Sequence, residues 1–142
     1  MVELNHRFDT GKDTAYNWEA IRDLDRIIPC VAGGSVVERT GPTTAKAEIK
    51  VKMGAMSMTF RGTVEVTERD DDAHTAVLAV RSKDTGGSGY ANADVTFDLS
   101  DGGGAINTKA RISGKAVSMG EGVVQTVLDA MIRDFTTKLA KI

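Results

Sequence analysis

Apolar and polar side chains alternate over much of the middle of this chain. Ala45, Ala47, Ile49, Val51 and Met53 are interleaved with Lys46, Glu48, Lys50 and Lys52, the pattern of a strand with one face buried. The same period of two recurs at Met58, Phe60, Gly62, Val64 and Val66, at Ala76, Leu78 and Val80, at Ala91, Ala93, Val95, Phe97 and Leu99, and at Ile106, Thr108, Ala110 and Ile112. Turn-forming residues separate the runs: Gly54-Ala55-Met56, Asp70-Asp71-Asp72, Gly86-Gly87-Ser88-Gly89 and Asp101-Gly102-Gly103-Gly104. Five consecutive alternating strands with short connections predict an antiparallel meander.

The ends of the chain read differently. Val123, Val124, Val127, Leu128, Met131, Ile132, Phe135 and Leu139 recur at helical spacing, predicting one long amphipathic helix from about Gly122 to the C-terminus. Its apolar stripe needs a partner, and the meander's apolar face supplies one. At the other end Val2, Leu4, His6 and Phe8 predict a short strand. Asp13 or Thr14 then caps a helix carrying Tyr16, Trp18, Ala20 and Ile21. Leu24, Ile27 and Ile28 mark a second short helix that stops before Pro29, and Gly33-Gly34 resets the chain.

Residue size adds an expectation. The chain has fifteen glycines, two prolines and only 5% aromatic residues. The inward positions of the sheet include Ala45, Ala47, Gly62, Ala76, Ala91, Ala93, Ala110 and Gly114. A helix laid over so many small side chains leaves volume to be filled or collapsed. Met53, Met58 and Met131, with Phe60, Phe97 and Phe135, would line such a space. The competing expectation is a closed core, which a cavity below roughly 300 Å³ would favour.

With 142 residues the chain suffices for a single domain, 1–142, with a sizeable core. A net charge of -2 removes the electrostatic warrant for nucleic-acid binding. One cysteine excludes an internal disulfide framework or a multi-thiolate zinc site, and two histidines leave little for a metal or a triad. No apolar run reaches the ~18 residues of a membrane span, and no signal-peptide pattern opens the chain, so the expected location is cytoplasmic.

The candidate chemical motifs are weak. Gly11-Lys12 lacks the spacing of a phosphate loop, and Gly102-Gly103-Gly104 lies between strands rather than before a helix. Asp70-Asp71-Asp72 lacks the spacing of a calcium loop. Asp23 and Asp25 lie too close together on a helix to face one another as an acid–base pair. His6 is read as an inward structural histidine, His74 as solvated, Cys30 as a structural thiol, and Tyr16 and Trp18 as packing residues. No catalytic residue and no metal ligand is assigned, and the chain is not expected to be an enzyme.

The order strand, two short helices, meander, long helix is similar to the helix-grip fold of the START/polyketide-cyclase-like (SRPBCC) superfamily, which also includes Bet v 1-like proteins. Ile28-Pro29, Val51-Lys52-Met53-Gly54, Phe60-Arg61-Gly62-Thr63-Val64 and Gly87-Ser88-Gly89-Tyr90-Ala91-Asn92-Ala93 occur in order, followed by Leu99, Gly104, Thr108, Ile112-Ser113-Gly114, Gly120 and Phe135. Together they resemble the CoxG family of carbon monoxide dehydrogenase accessory proteins over nearly the whole chain. Two positions depart from it. Cys30 stands where the family usually has glycine after the Ile-Pro motif, and Asp134-Phe135 replaces a pair of phenylalanines.

The resemblance implies an α+β helix-grip fold, a curved antiparallel sheet wrapped around the C-terminal helix with an internal hydrophobic cavity. It implies a non-catalytic accessory protein of molybdenum-hydroxylase-type CO dehydrogenase, located at the inner face of the cytoplasmic membrane, in many members through a tail beyond the last helix. A quinone such as menaquinone is the implied ligand, carried between membrane and enzyme; a structural adaptor, or a lipid- or polyketide-binding protein or cyclase of the same fold, is the alternative. Alternation and resemblance together nominate Met53, Met58, Phe60, Leu78, Val80, Val95 and Phe97 from the sheet and Val124, Leu128, Met131 and Phe135 from the helix as ligand-binding residues. Trp18, Ile28 and Pro29 are nominated for the cavity mouth.

Overall fold

A computed structural model describes residues 1–53, 55–87, 89–114, 117–118 and 120–141. Strand β1 (Val2–Asp9) leads into helices α1 (Thr14–Arg22) and α2 (Leu24–Ile27) and a 3-10 turn (Ile28–Cys30). Strands β2 (Gly34–Arg39), β3 (Thr44–Met53), β4 (Met56–Asp70), β5 (Thr75–Asp84), β6 (Tyr90–Ser100) and β7 (Gly103–Ile112) follow, and helix α3 (Glu121–Leu139) ends the chain. The strands form one antiparallel sheet in the order β1-β7-β6-β5-β4-β3-β2. Register shifts between Val66 and Glu68 and between Val36 and Glu38 mark bulges, which bend a sheet.

The meander, the first strand, both short helices and the long helix lie where the residue pattern puts them. Strand β2 is the exception, since the pattern provides only a glycine reset there. It is an edge strand, mostly exposed, with Val36 half-buried and its neighbour Val37 51% exposed. Two adjacent valines on an exposed edge carry no alternation to detect. Pro29 sits at the start of the 3-10 turn, where its missing N–H costs no hydrogen bond. Of the turns read from sequence, Gly54 and Ser88 lie outside the described residues.

Side chains fix the short helices to the sheet. The Asp13 carboxylate caps α1 by accepting from the Tyr16 N–H at 2.9 Å. Asn17, 2% exposed, donates to the carbonyls of Lys12 and Ser100, both at 3.1 Å, and its amide oxygen accepts from the Thr10 hydroxyl at 2.6 Å. Asp101 in the β6–β7 turn accepts from both the N–H and the hydroxyl of Thr14. Those two bonds hold the Asp101 carboxyl below its ordinary value.

The apolar interior has two parts. Phe8, Trp18, Ile21, Leu24, Ile27, Phe97, Phe135 and Leu139 pack around the short helices and the end of α3. Val2, Leu4, Val51, Met58, Phe60 and Val124 pack around its beginning. Helix α3 is thus buried near its ends, at Val124, Phe135 and Leu139, while Val127, Leu128, Met131 and Ile132 between them are only half-buried.

Candidate functional site

Register explains why space remains under the middle of α3. Across the inward face, Ala47 pairs with Gly62, Gly62 with Ser82, Ser82 with Ala91 and Ala91 with Ile112. One row further along, Val80 pairs with Ala93 and Ala93 with Ala110. Alanine, serine and glycine raise the sheet surface little, so the helix spans a shallow floor without touching all of it. Gly62 has a further reason to lack a side chain: a Cβ there would run into the Arg81 carbonyl oxygen and lie 2.6 Å from the Ser82 Cα.

The resulting cleft has a volume of about 180 Å³. Leu128, Met131, Ile132 and Phe135 form its helical side, and Ile27, Ile28 and Val31 bound it near the short helices. The sheet contributes Phe60, Val64, Leu78, Val80, Val95 and Phe97 around the floor of small residues. Phe97 and Phe135 meet edge to face, with centroids 6.3 Å apart, and close the end toward the short helices. Ser82, Asn92 and Thr108 are its polar members, and no ionisable side chain lines it. Two depressions of about 500 Å³ lie elsewhere, one around Asn5, Arg7, Asp98 and Asn107, the other around Glu68, Arg69 and Asp70; their hydrophilic walls suit solvent better than an apolar guest.

The structure places eight of the eleven nominated ligand-binding residues in this cleft: Phe60, Leu78, Val80, Val95, Phe97, Leu128, Met131 and Phe135. Met58 and Val124 are corrections. Both are buried in the cluster at the beginning of α3 and are not part of the lining. The Met53 side chain lies outside the described residues. Of the three mouth candidates only Ile28 reaches the cleft. Trp18 is buried away from it, its Nε1–H donated to Asp71 at 3.2 Å and its ring 5.5 Å from that of His74. Pro29 is exposed and takes no part in the lining.

The polar members are not among the nominees. Ser82 is occupied with backbone, its hydroxyl donating to the Ala91 carbonyl at 2.6 Å. Thr108 is only 3% exposed, and its hydroxyl oxygen has no hydrogen-bond partner. Its alternation with Ile106 and Ala110 puts it on the inward face, which is the signal the sequence offers. Cys30 stays apart from the cleft, its Sγ 3.3 Å from the Arg26 carbonyl, and burial pushes its thiol up from the ordinary value.

Comparison with known proteins gives the following. The CoxG family, described by its role in carbon monoxide dehydrogenase, matches residues 7–142. No match is found among curated protein sequences. Among solved structures, a conserved protein from Geobacillus kaustophilus is similar with a TM-score of 0.82 and 22% identity, over 98% of this chain and 93% of that one. A STAR-related lipid transfer protein from Xanthomonas axonopodis aligns with a TM-score of 0.66 and 11% identity, over 98% and 85% of the two chains. An aromatase/cyclase from a Streptomyces species gives a TM-score of 0.60 and 12% identity over 98% and 91%. At these identities the likeness establishes the START-like helix-grip fold. No helix among the described residues is long and apolar enough to cross a membrane.

Proposed function

The chain belongs to the CoxG family of carbon monoxide dehydrogenase, and from that premise we propose that it is a non-catalytic accessory protein carrying a respiratory quinone, menaquinone or a relative, between the membrane and CO dehydrogenase. The observation that carries the reading is the composition of the cleft. Its lining is apolar apart from Ser82, Asn92 and Thr108, and no ionisable side chain is present to receive a charged guest. A charged head group placed there would be buried without a partner, at a cost of several kcal/mol. A neutral, mostly hydrocarbon ligand instead gains about 25 cal/mol for each Å² of apolar surface removed from water. Met131 on the helical side supplies an adaptable wall for an irregular apolar body.

The volume sets the manner of binding. A space of about 180 Å³ is the size that takes a single aromatic ring, since an apolar cavity of ~150 Å³ holds benzene. A quinone ring enters such a space, and its isoprenoid tail leaves along the half-buried middle of α3 or lifts that segment from the sheet. The name of the similar Xanthomonas protein, a lipid transfer protein, supports a carrier role for this architecture. One observation favours a second reading. The cleft is smaller than the roughly 300 Å³ at the low end of ligand pockets, which fits an adaptor recognising the dehydrogenase through its surface.

Mass spectrometry of an organic extract separates the two. The protein is purified from a host that makes quinones, and the extract is quantified against protein. Near-stoichiometric menaquinone or ubiquinone supports the carrier. Phospholipid or fatty acid in its place overturns the quinone assignment. No ligand, together with no rise in melting temperature on adding a short-chain quinone, supports the adaptor.

A further inference from the structure

The cleft contains one hydroxyl for which the fold provides no use. Thr108 sits on β7 between Ile106 and Ala110, pairs with Leu4 of β1 on one side and with Val95 of β6 on the other, and lines the cleft. It is 3% exposed, and its Oγ1 is buried without a hydrogen bond. Leu4, Val95, Ile106 and Ala110 all have hydrocarbon side chains, so its neighbours on this face offer no partner. A buried hydroxyl that has given up water and gained nothing is a standing cost to the folded state. A valine has nearly the same shape and none of that cost. The serine nearby behaves as buried hydroxyls ordinarily do, since Ser82 donates to a backbone carbonyl.

The charge of the surroundings narrows what could meet this group. With no lysine, arginine or histidine in the lining, a carboxylate or phosphate guest would arrive without a counter-charge. A hydroxyl can donate one hydrogen bond to a neutral oxygen and complete itself by doing so. We infer that Thr108 is the polar anchor of the cleft, donating its hydroxyl to a carbonyl oxygen on a neutral, ring-sized apolar ligand. This rests on the cleft being a ligand site. It adds the chemical class selected there: neutral carbonyl compounds are held in preference to hydrocarbons of the same shape. The guest's ring lies between Phe97 and Met131, and the oxygen points toward β7.

Tetralone and tetralin, a ketone and a hydrocarbon of nearly the same size, test the preference by ligand-observed NMR titration. Both bind the wild-type protein, tetralone more tightly. Thr108→Val weakens tetralone by roughly five- to tenfold, the worth of one neutral hydrogen bond, and leaves tetralin unchanged. Thr108→Ser restores the preference. The valine variant unfolds at the same or higher denaturant concentration than wild type, which separates lost recognition from lost folding. Equal effects of Thr108→Val on the two compounds overturn the anchor while leaving the cleft a binding site. Failure of both compounds to bind the wild-type protein refutes the cleft as a ligand site and the anchor with it.

Discussion

His6 Nε2 lies 2.8 Å from the Asp129 carboxylate, joining the first strand to the middle of the last helix across 123 positions of sequence. This hydrogen bond ties α3 to the sheet. Asp129 also accepts from Arg133 one helical turn on, at 2.8 Å. The helix segment it holds is the one whose apolar side chains face the cleft, so this pair sets how closely the cleft is covered.

The pair gives the first prediction a definite sign. The bond from His6 leads, and together with that from Arg133 it outweighs the opposing effect of burial and holds the Asp129 carboxyl below its ordinary value. A carboxyl lowered in the folded state stabilises fully above its unfolded value, and that contribution is lost as pH falls through the folded value. Asp129→Asn is therefore expected to unfold more readily than wild type from about pH 5 upward, with the gap closing below about pH 4. Urea unfolding across that range checks it; a gap that widens in acid contradicts the assignment.

A second prediction concerns the unequal burial of α3. Leu139 is fully buried and Phe135 is 5% exposed, whereas Leu128 stands half-buried at the cleft. Leu139→Ala is expected to cost about 2–5 kcal/mol, the range for a large-to-small change in a packed core. Leu128→Ala faces existing space on one side and costs clearly less. Paired denaturant titrations of the two variants measure the difference.

The floor supplies a third. Gly62→Ala forces a methyl group against the Arg81 carbonyl and separates β4 from β5. Overpacking of this kind costs about 1–3 kcal/mol. It also raises the floor beneath the helix, so ligand affinity drops with stability. A variant as stable as wild type would mean the strands have room that the register denies.

These expectations depend on how much a sequence discloses. Alternation identifies the inward face of every meander strand, and the run of alanines and glycines at inward positions is a sound sign of space beneath the helix. Period two names the face and not the row. Met58 and Phe60 look alike in sequence, yet pairing puts Met58 opposite Val51 in a closed cluster and Phe60 opposite Ile49 beside the cleft. Val124 and Leu128 share one helical stripe in the same way, one at the packed beginning of α3 and the other over the gap. Trp18 and Pro29 escape a sequence reading because the seat of α1 is set by Asn17 and Asp101, whose partners are distant in the chain. Thr108 looks like an ordinary strand residue, since its missing hydrogen bond exists only once its neighbours are known.

A fourth prediction bears on the helical wall. Met131→Glu places a carboxylate in the cleft and should abolish retention of any neutral apolar ligand while the chain stays folded, because Met131 is half-buried with a route to solvent. Circular dichroism and the organic extract of the same preparation check both halves. Unchanged ligand content would remove Met131 from the site.

The central claim is that an apolar ligand enters between α3 and the sheet, and methionine methyl groups report on it most directly. Met131 lines the cleft and Met58 packs in the neighbouring closed cluster, so carbon-13 methyl spectra carry both a probe and an internal control. On titration with a short-chain menaquinone, the Met131 methyl signal should shift in a saturable manner while that of Met58 stays in place. Equal shifts at both, or a stationary Met131 at saturating quinone, would contradict the account.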